Sequence, residues 1–255
     1  MHHTCKNCHQ QFKGNYCYNC GQAADIHKID FHFLWHDIQH GLFHFDSGIL
    51  FTIKELFTRP GHTIREFIEG KRVKHFRPLS LIIVISTIYG LLFHYFHVQQ
   101  QLDVKITGIE NAPEKIEKLS DWMATHYAWV TLLTIPFYAV GSFFAFKKQG
   151  YNFIEHCVLN SFLAAQRLIV HIAAFPVVYL FNNTPGDKVV NQILVLLDFV
   201  LVSWSYSQFF NKLSKRKAIL LTGLSYLIAG ACIVVVAIIA AAIGISLYKK
   251  FLSSS

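Results

Sequence analysis

The sequence predicts an all-α polytopic membrane protein with about five transmembrane helices, preceded by amphipathic interfacial helices and a small N-terminal zinc ribbon. Three observations carry that reading. The 255 residues are 53% hydrophobic and only 15% charged, too apolar for an ordinary soluble domain. The apolar residues gather into five stretches, about 79–97, 127–146, 157–181, 189–210 and 218–247. Each is near the ~20 residues that a hydrocarbon core of about 30 Å demands of a helix. Finally, two Cys-x-x-Cys pairs stand at the front of the chain.

Residues 1–24 read as the ribbon. Cys5-x2-Cys8 and Cys17-x2-Cys20 are separated by eight residues, a spacing that lets four thiolates close a tetrahedron around Zn2+. A module this small lacks a sufficient apolar core, so the ion is expected to supply its folding energy. Gly14 and Asn15 suit the turn between the arms and Gly21 the turn after the second pair. His9 occupies the matching place after Cys8, a departure from the usual glycine. Two disulfides are the alternative, disfavoured where the compartment is reducing. Four thiolate ligands leave no open position, so the expected role is structural. Cys157 and Cys232 stand alone in spans and read as packing residues.

Residues 25–77 read as amphipathic helices. In "IDFHFLWHDIQHGLFHFD", Phe31, Leu34, Trp35, Ile38, Leu42 and Phe45 fall within an arc of about 100° on a helix, one apolar face suited to the membrane interface. His32, His36, His40 and His44 recur at four-residue steps on the other side. Neighbouring pairs suit a shared ion, and His36, His40 and His44 with Asp46 form a candidate second metal or pH-responsive site. Over three steps the row drifts by about 120°, so no more than two adjacent histidines can share one ion. A headgroup-facing row without metal is the alternative. "RPG" at 59–61 breaks the helical pattern, and Thr63 with Glu66 has the spacing of a capping box for the next helix.

Residues 78–255 form the expected bundle. "GKRVKHFR" precedes the first span, and Lys147, Lys148 and "NKLSKRK" fall on the same side when spans are counted off. The positive-inside rule then puts the N-terminus in the cytoplasm and the C-terminus outside, with Lys249 and Lys250 read as interfacial anchors. No apolar leader precedes the first span, which is therefore expected to act as the insertion signal. The net charge of +8 reads as an orientation signal, and no nucleic-acid partner is expected.

Polar residues inside the spans mark a second candidate site. Measured from His156, residues Arg167, Asn160 and His171 lie at about 20°, 40° and 60° on a helix, so all four share one face. Asp198 lies with Asn191 and Ser205 at heptad spacing on the next span. An isolated charge at mid-membrane costs at least about 2.5–3.5 kcal/mol, so Arg167 and Asp198 are expected to pair, with His171, Asn160 and His156 around them. A buried clasp, an anion site and a proton path remain alternatives. Pro136 and Pro176 are candidate kinks beside this face. Gly223, Gly230, Ala237, Ala241 and Gly244 are expected to permit close helix approach along the last span.

The paired cysteines, His40-x3-His44-x-Asp46, "KELFTRPG" and "REFIEGKRVKHFRPLSL" together resemble a family of uncharacterised inner-membrane proteins, mainly of Bacteroidota, with an N-terminal zinc ribbon and several C-terminal spans. The resemblance covers about the first 90 residues. It implies compartment and topology, and no activity. Its motif positions here are the four ribbon cysteines, His40, His44, Asp46, Arg59, Pro60, Gly61, Arg65, Glu66, Glu69, Gly70, Lys71 and Arg72.

The leading functional expectation is an inner-membrane scaffold or regulator whose cytoplasmic ribbon docks a protein partner. A transporter, channel or membrane-perturbing defence or stress effector working through Arg167 and Asp198 is the alternative. Self-association of the bundle is left open. An enzyme is not expected: the chain has no nucleophile elbow, phosphate-binding glycine loop or HExxH.

Overall fold

The computed structural model describes residues 3–25, 29–31, 48–96, 122–123 and 125–253, with side chains in the last helix to residue 243. The histidine row, including His36, His40, His44 and Asp46, lies outside the described residues.

The described residues are mainly helical apart from residues 3–25, where β1 (His3–Thr4) and β2 (Gln11–Phe12) pair antiparallel, with His3 opposite Phe12. Seven α-helices follow among the described residues: α1 (Gly48–Thr58), α2 (Pro60–Glu69), α3 (Pro78–Tyr95), α4 (Tyr127–Ala145), α5 (Phe153–Phe181), α6 (Asp187–Phe209) and α7 (Lys215–Ser253). The last five are long and apolar enough to cross a membrane, the build of a multi-pass membrane protein.

Proline opens two of these helices. Pro60 and Pro78 sit in the first turns of α2 and α3, where a missing N–H costs nothing and φ is already helical. This corrects the expected capping box at Thr63: α2 begins three residues earlier, and the Thr63 hydroxyl donates to the Glu55 carboxylate at 3.2 Å. Gly70 ends α2 at φ 110°, with its N–H on the Phe67 carbonyl and the Lys71 N–H on the Glu66 carbonyl, a Schellman closure. The third span begins at Phe153, because the Asn152 side chain accepts from the Glu155 N–H at 2.8 Å and Glu155 answers at the Asn152 N–H. "N-F-I-E" carried that signal in the sequence.

Helix α5 is the centre of the bundle. Every residue from His156 to Gln166 is buried, with α3, α4 and α6 packed around it. Helix α7 lies mainly against α4 and shows most of its apolar surface outward. The close crossing there is set by Gly141 of α4. A Cβ at that position would stand 2.2 Å from the Ser225 carbonyl oxygen and 3.1 Å from Ala229. The expectation that Gly223 and Gly230 provide the close approach is therefore corrected, since neither has anything within 4 Å of a Cβ position.

The α1–α2 hairpin wedges into one end of this bundle, called here the ribbon end. Leu56, Pro60, Gly61, Thr63, Ile64 and Phe67 are buried against α5 and α6. Three helix ends meet there, each with orphan backbone groups. The Gln166 amide donates to the Leu56 carbonyl at the end of α1 at 2.7 Å. Gly61 N–H, at the start of α2, donates to the Gln208 side chain at 3.2 Å. Arg65 donates to the last carbonyls of α6, Gln208 and Phe209, at 3.2 and 3.0 Å.

Gly61 makes this approach possible, because a Cβ there would lie 2.3 Å from the Phe209 nitrogen and 2.4 Å from the Ser205 carbonyl oxygen. Those neighbours are backbone and cannot swing aside. Gly61→Ala is expected to cost about 3 kcal/mol and lower the melting temperature of the detergent-solubilised protein, whereas Gly223→Ala, facing open space, is expected to leave it unchanged or slightly raised.

Candidate metal centre and intramembrane polar site

The ribbon brings its four cysteines to one point. The Cys5 and Cys20 sulfurs are 3.5 Å apart, the Cys8 and Cys17 sulfurs 3.6 Å, and all four lie within 4.8 Å of one another. A disulfide needs about 2.05 Å. Four thiolates about 2.3 Å from a tetrahedral ion would stand about 3.8 Å apart, so the donor set and its spacing fit a metal. Two turns hold the knuckles, and each closes with a left-handed residue: His9 at φ 61° and Gly21 at φ 76°. Histidine thus takes up the conformation that the missing glycine would have adopted. Hydrogen bonds from Asn19 and the Gln10 backbone lower the Cys8 thiol to about 6, while burial pushes Cys5 up to about 11.

The ribbon is fastened to the bundle. Gln22, buried just past the second knuckle, accepts from the Arg72 N–H at 3.2 Å. Further along, the Asn152 amide donates to the carbonyl of Ile29, itself buried in the bundle's core. Tyr16 and Tyr18 face outward, 69% and 73% exposed.

Between α2 and α3 the chain passes beneath the ribbon through His75. Its ring stands edge-on to Phe51 and Phe67. Burial holds the imidazole below its ordinary value of 6.5. Glu66 lies nearby, 3.1 Å from Lys71 and 3.4 Å from Arg59. Burial opposes its ionisation, but the hydrogen bond from Lys71 and the charge of Arg59 outweigh it and lower its pKa.

Both shifts have one sign in linkage. The unfolded chain binds these protons more readily than the folded one, so stability is present above the ordinary values and lost on acidification. For His75 the loss begins as pH falls through about 6.5, and for Glu66 as it falls through the ordinary carboxylate range, about 4.5. Amide exchange over residues 48–77 is expected to quicken in two stages as pH drops, after correction for intrinsic rates. His75→Phe is expected to remove the upper stage alone.

Inside the bundle, the shared face predicted for α5 separates into two groups. At mid-span, the His171 Nε2 lies 3.2 Å from each Asp198 carboxylate oxygen, and the Arg167 Nη1 lies 3.9 Å from Oδ2. The expected Arg167–Asp198 pair is thus present but stretched, and His171 is the nearer partner. The guanidinium rests over the Tyr138 ring at 5.2 Å, and its Nε has no hydrogen-bond partner among the described residues.

Towards the ribbon end, Asn160 donates to the Ser142 hydroxyl at 2.9 Å and to the His156 carbonyl at 2.8 Å, and accepts from the Tyr206 hydroxyl at 3.0 Å. His156 Nδ1 meets Ser142 at 2.9 Å, while its Nε2 is buried without a partner. His156 therefore belongs to this second group and does not surround the ion pair. The heptad on α6 divides as well: Asn191 is exposed on Asp187, while Ser205 is buried on Gln166 at 3.2 Å.

A cavity of about 10 Å³ joins the two groups, lined by Tyr138, Asn160, Leu163, Arg167, Val202, Tyr206, Ser225 and Tyr226. Ser142, Tyr206, Tyr138 and Tyr226 had no marker in the sequence, since a serine or tyrosine in a span is commonplace and their partners lie on other helices.

Asn160 is the hub of the second group. Asn160→Leu deprives the Tyr206 hydroxyl of its amide acceptor and the Ser142 hydroxyl of its amide donor, and is expected to cost about 1–3 kcal/mol in thermal unfolding. Adding Tyr206→Phe removes the Tyr206 hydroxyl, so the double variant is expected to lose less than the sum of the singles, by about 1 kcal/mol.

Comparison with known proteins speaks to one part of this structure. No curated protein and no solved structure matches the chain. Residues 46–90 match a family model described as a protein of unknown function (DUF3667), and so fit an uncharacterised family. The match runs over α1, α2, the His75 segment and most of α3, leaving the ribbon and α4 to α7 outside it.

Proposed function

We propose that this chain is a scaffold or regulatory protein of the bacterial inner membrane that uses a zinc-loaded ribbon to hold a cytoplasmic protein partner at the bilayer. The observation that carries the reading is the seating of the ribbon. Gln22 and Ile29 tie it and the chain that follows to the bundle, while Tyr16 and Tyr18 are left pointing outward. A rigid module with two exposed tyrosines has the make-up of a recognition surface, because aromatic side chains supply large contact area at low entropic cost.

The metal reading rests on four converging thiolates, with Cys5, Cys8, Cys17 and Cys20 as ligands and Zn2+ as the ion best suited to tetrahedral sulfur. Zn2+ there would supply structure and no catalysis. Orientation rests on charge: Lys71, Arg72, Lys74, Lys147, Lys148, Lys215, Arg216 and Lys217 all sit at the ribbon end, which the positive-inside rule assigns to the cytoplasm.

A second reading has its own support. The stretched Arg167–Asp198–His171 cluster and its cavity are what a transporter, channel or membrane-active effector would place at mid-membrane.

The docking reading is tested by mild-detergent pull-down from native membranes, comparing intact protein with Cys17→Ser/Cys20→Ser and with Tyr16→Ala/Tyr18→Ala. About one Zn2+ per chain is expected for the intact and tyrosine variants and none for the cysteine variant. A partner held by intact protein and lost from both variants, at normal membrane abundance, supports docking. Equal recovery from all three would remove the ribbon as a platform.

A further inference from the structure

The centre of the bundle carries more polarity than a register clasp requires. A clasp works best as a short, fully bonded pair. Here Arg167 and Asp198 stand 3.9 Å apart, and the guanidinium Nε is buried without a partner among the described residues. His171, which can itself carry a proton, reaches both carboxylate oxygens at 3.2 Å. A polar contact longer than about 3.5 Å invites a bridging water. The adjoining cavity, at about 10 Å³, is about the size that one water occupies. It is walled by the hydroxyl residues Tyr138, Tyr206, Ser225 and Tyr226. Aromatic rings pack towards either end: Tyr89 and Phe93 lie tilted at 4.2 Å and Phe93 meets Phe175 at 5.4 Å on the far side, while Phe146 and Phe210 stack at 4.1 Å beside His156 at the ribbon end.

We propose that this centre is a proton-binding site, in which the Asp198–His171 pair takes up one proton and a single water in the cavity solvates Arg167 beside it. The inference deepens the second reading above and is independent of any partner of the ribbon. Loading adds one proton and breaks no covalent bond. Beforehand Asp198 is a carboxylate, His171 a neutral imidazole donating to it and Arg167 a cation; afterwards the Asp198–His171 pair carries one more positive charge. The groups that face the pair are Arg167 on α5, Tyr127 and Tyr138 on α4, and Tyr226 on α7, with Tyr89 on α3 beside the imidazole. None of them is a second carboxylate, so among the described residues Asp198 is the anionic partner for a proton entering here. The water offers an acceptor to the Arg167 Nε, while the Tyr138 and Tyr226 hydroxyls lie within reach of the rest of the guanidinium.

The experiment is infrared difference spectroscopy of the full chain in nanodiscs, stepped from about pH 8 to about pH 4. The expected result is an acid-induced change in carboxylate or imidazole absorption that is present in the intact protein and lost in both Asp198→Asn and His171→Gln. Should Asp198→Asn fail to fold, His171→Gln alone decides, because it keeps a donor beside the carboxylate. A second expectation concerns the water: a weakly bonded O–H stretch that shifts in H2(18)O and disappears in Val202→Leu, which fills the cavity. Identical difference spectra for intact protein and variants would overturn the proton site, and loss of the pH change without any water band would overturn the solvated form of it. Solute or proton flux in liposomes separates this from the transport reading. Titration without flux keeps the site and removes transport, whereas flux without titration keeps transport and overturns the site.

Discussion

Backbone groups at buried helix ends govern how this molecule is put together. The turn at residues 58–61 and the end of α6 meet in an apolar setting, where an unpaired N–H or C=O costs as much as a lost hydrogen bond or more. Gln166, Gln208 and Arg65 supply the missing partners, each from a different helix. None of these bonds forms unless the three ends are together, so the hairpin and the bundle specify one another. Gly61 is the steric condition for it, as the only residue type that lets the turn lie against the α6 backbone.

The ribbon depends on that arrangement in turn. Its anchor Gln22 bonds the backbone of Arg72, which is held in place because the preceding α2 is wedged into the bundle and closed by Gly70. On the other side of the segment, the Phe76 N–H reaches the buried Thr52 hydroxyl at 2.7 Å. The matched stretch of residues 46–90 thus links the four-cysteine head to helices long and apolar enough to cross a membrane. A change in the ribbon has a direct route to α5, whose central residues also carry the polar groups of the interior.

Those interior groups use two kinds of bonding. The Ser142–His156–Asn160–Tyr206 set is tightly bonded and nearly satisfied, which suits it to holding α4, α5 and α6 in register. The Arg167–His171–Asp198 set is looser, partly open and beside a cavity. Tight bonding rigidifies, and loose bonding beside water-sized space leaves room for a change of charge. The two sets adjoin because Asn160 and Arg167 share a face of one helix.

Much of this was legible from the residues alone, wherever the determining physics is local. Cysteine spacing specified the four-thiol cluster, runs of apolar residues specified five long helices, and the 3.6-residue period put His156, Asn160, Arg167 and His171 on one side of α5. Sequence did not decide what faces that side. The rotation and tilt of neighbouring helices are set by packing, and only the tertiary structure made His171 the nearer partner of Asp198, moved His156 to Ser142 and brought in Tyr206. The same limit explains the glycines. Any glycine permits close approach, but Gly141 and Gly61 meet another backbone while Gly223 and Gly230 meet none, and only the assembled bundle makes that distinction.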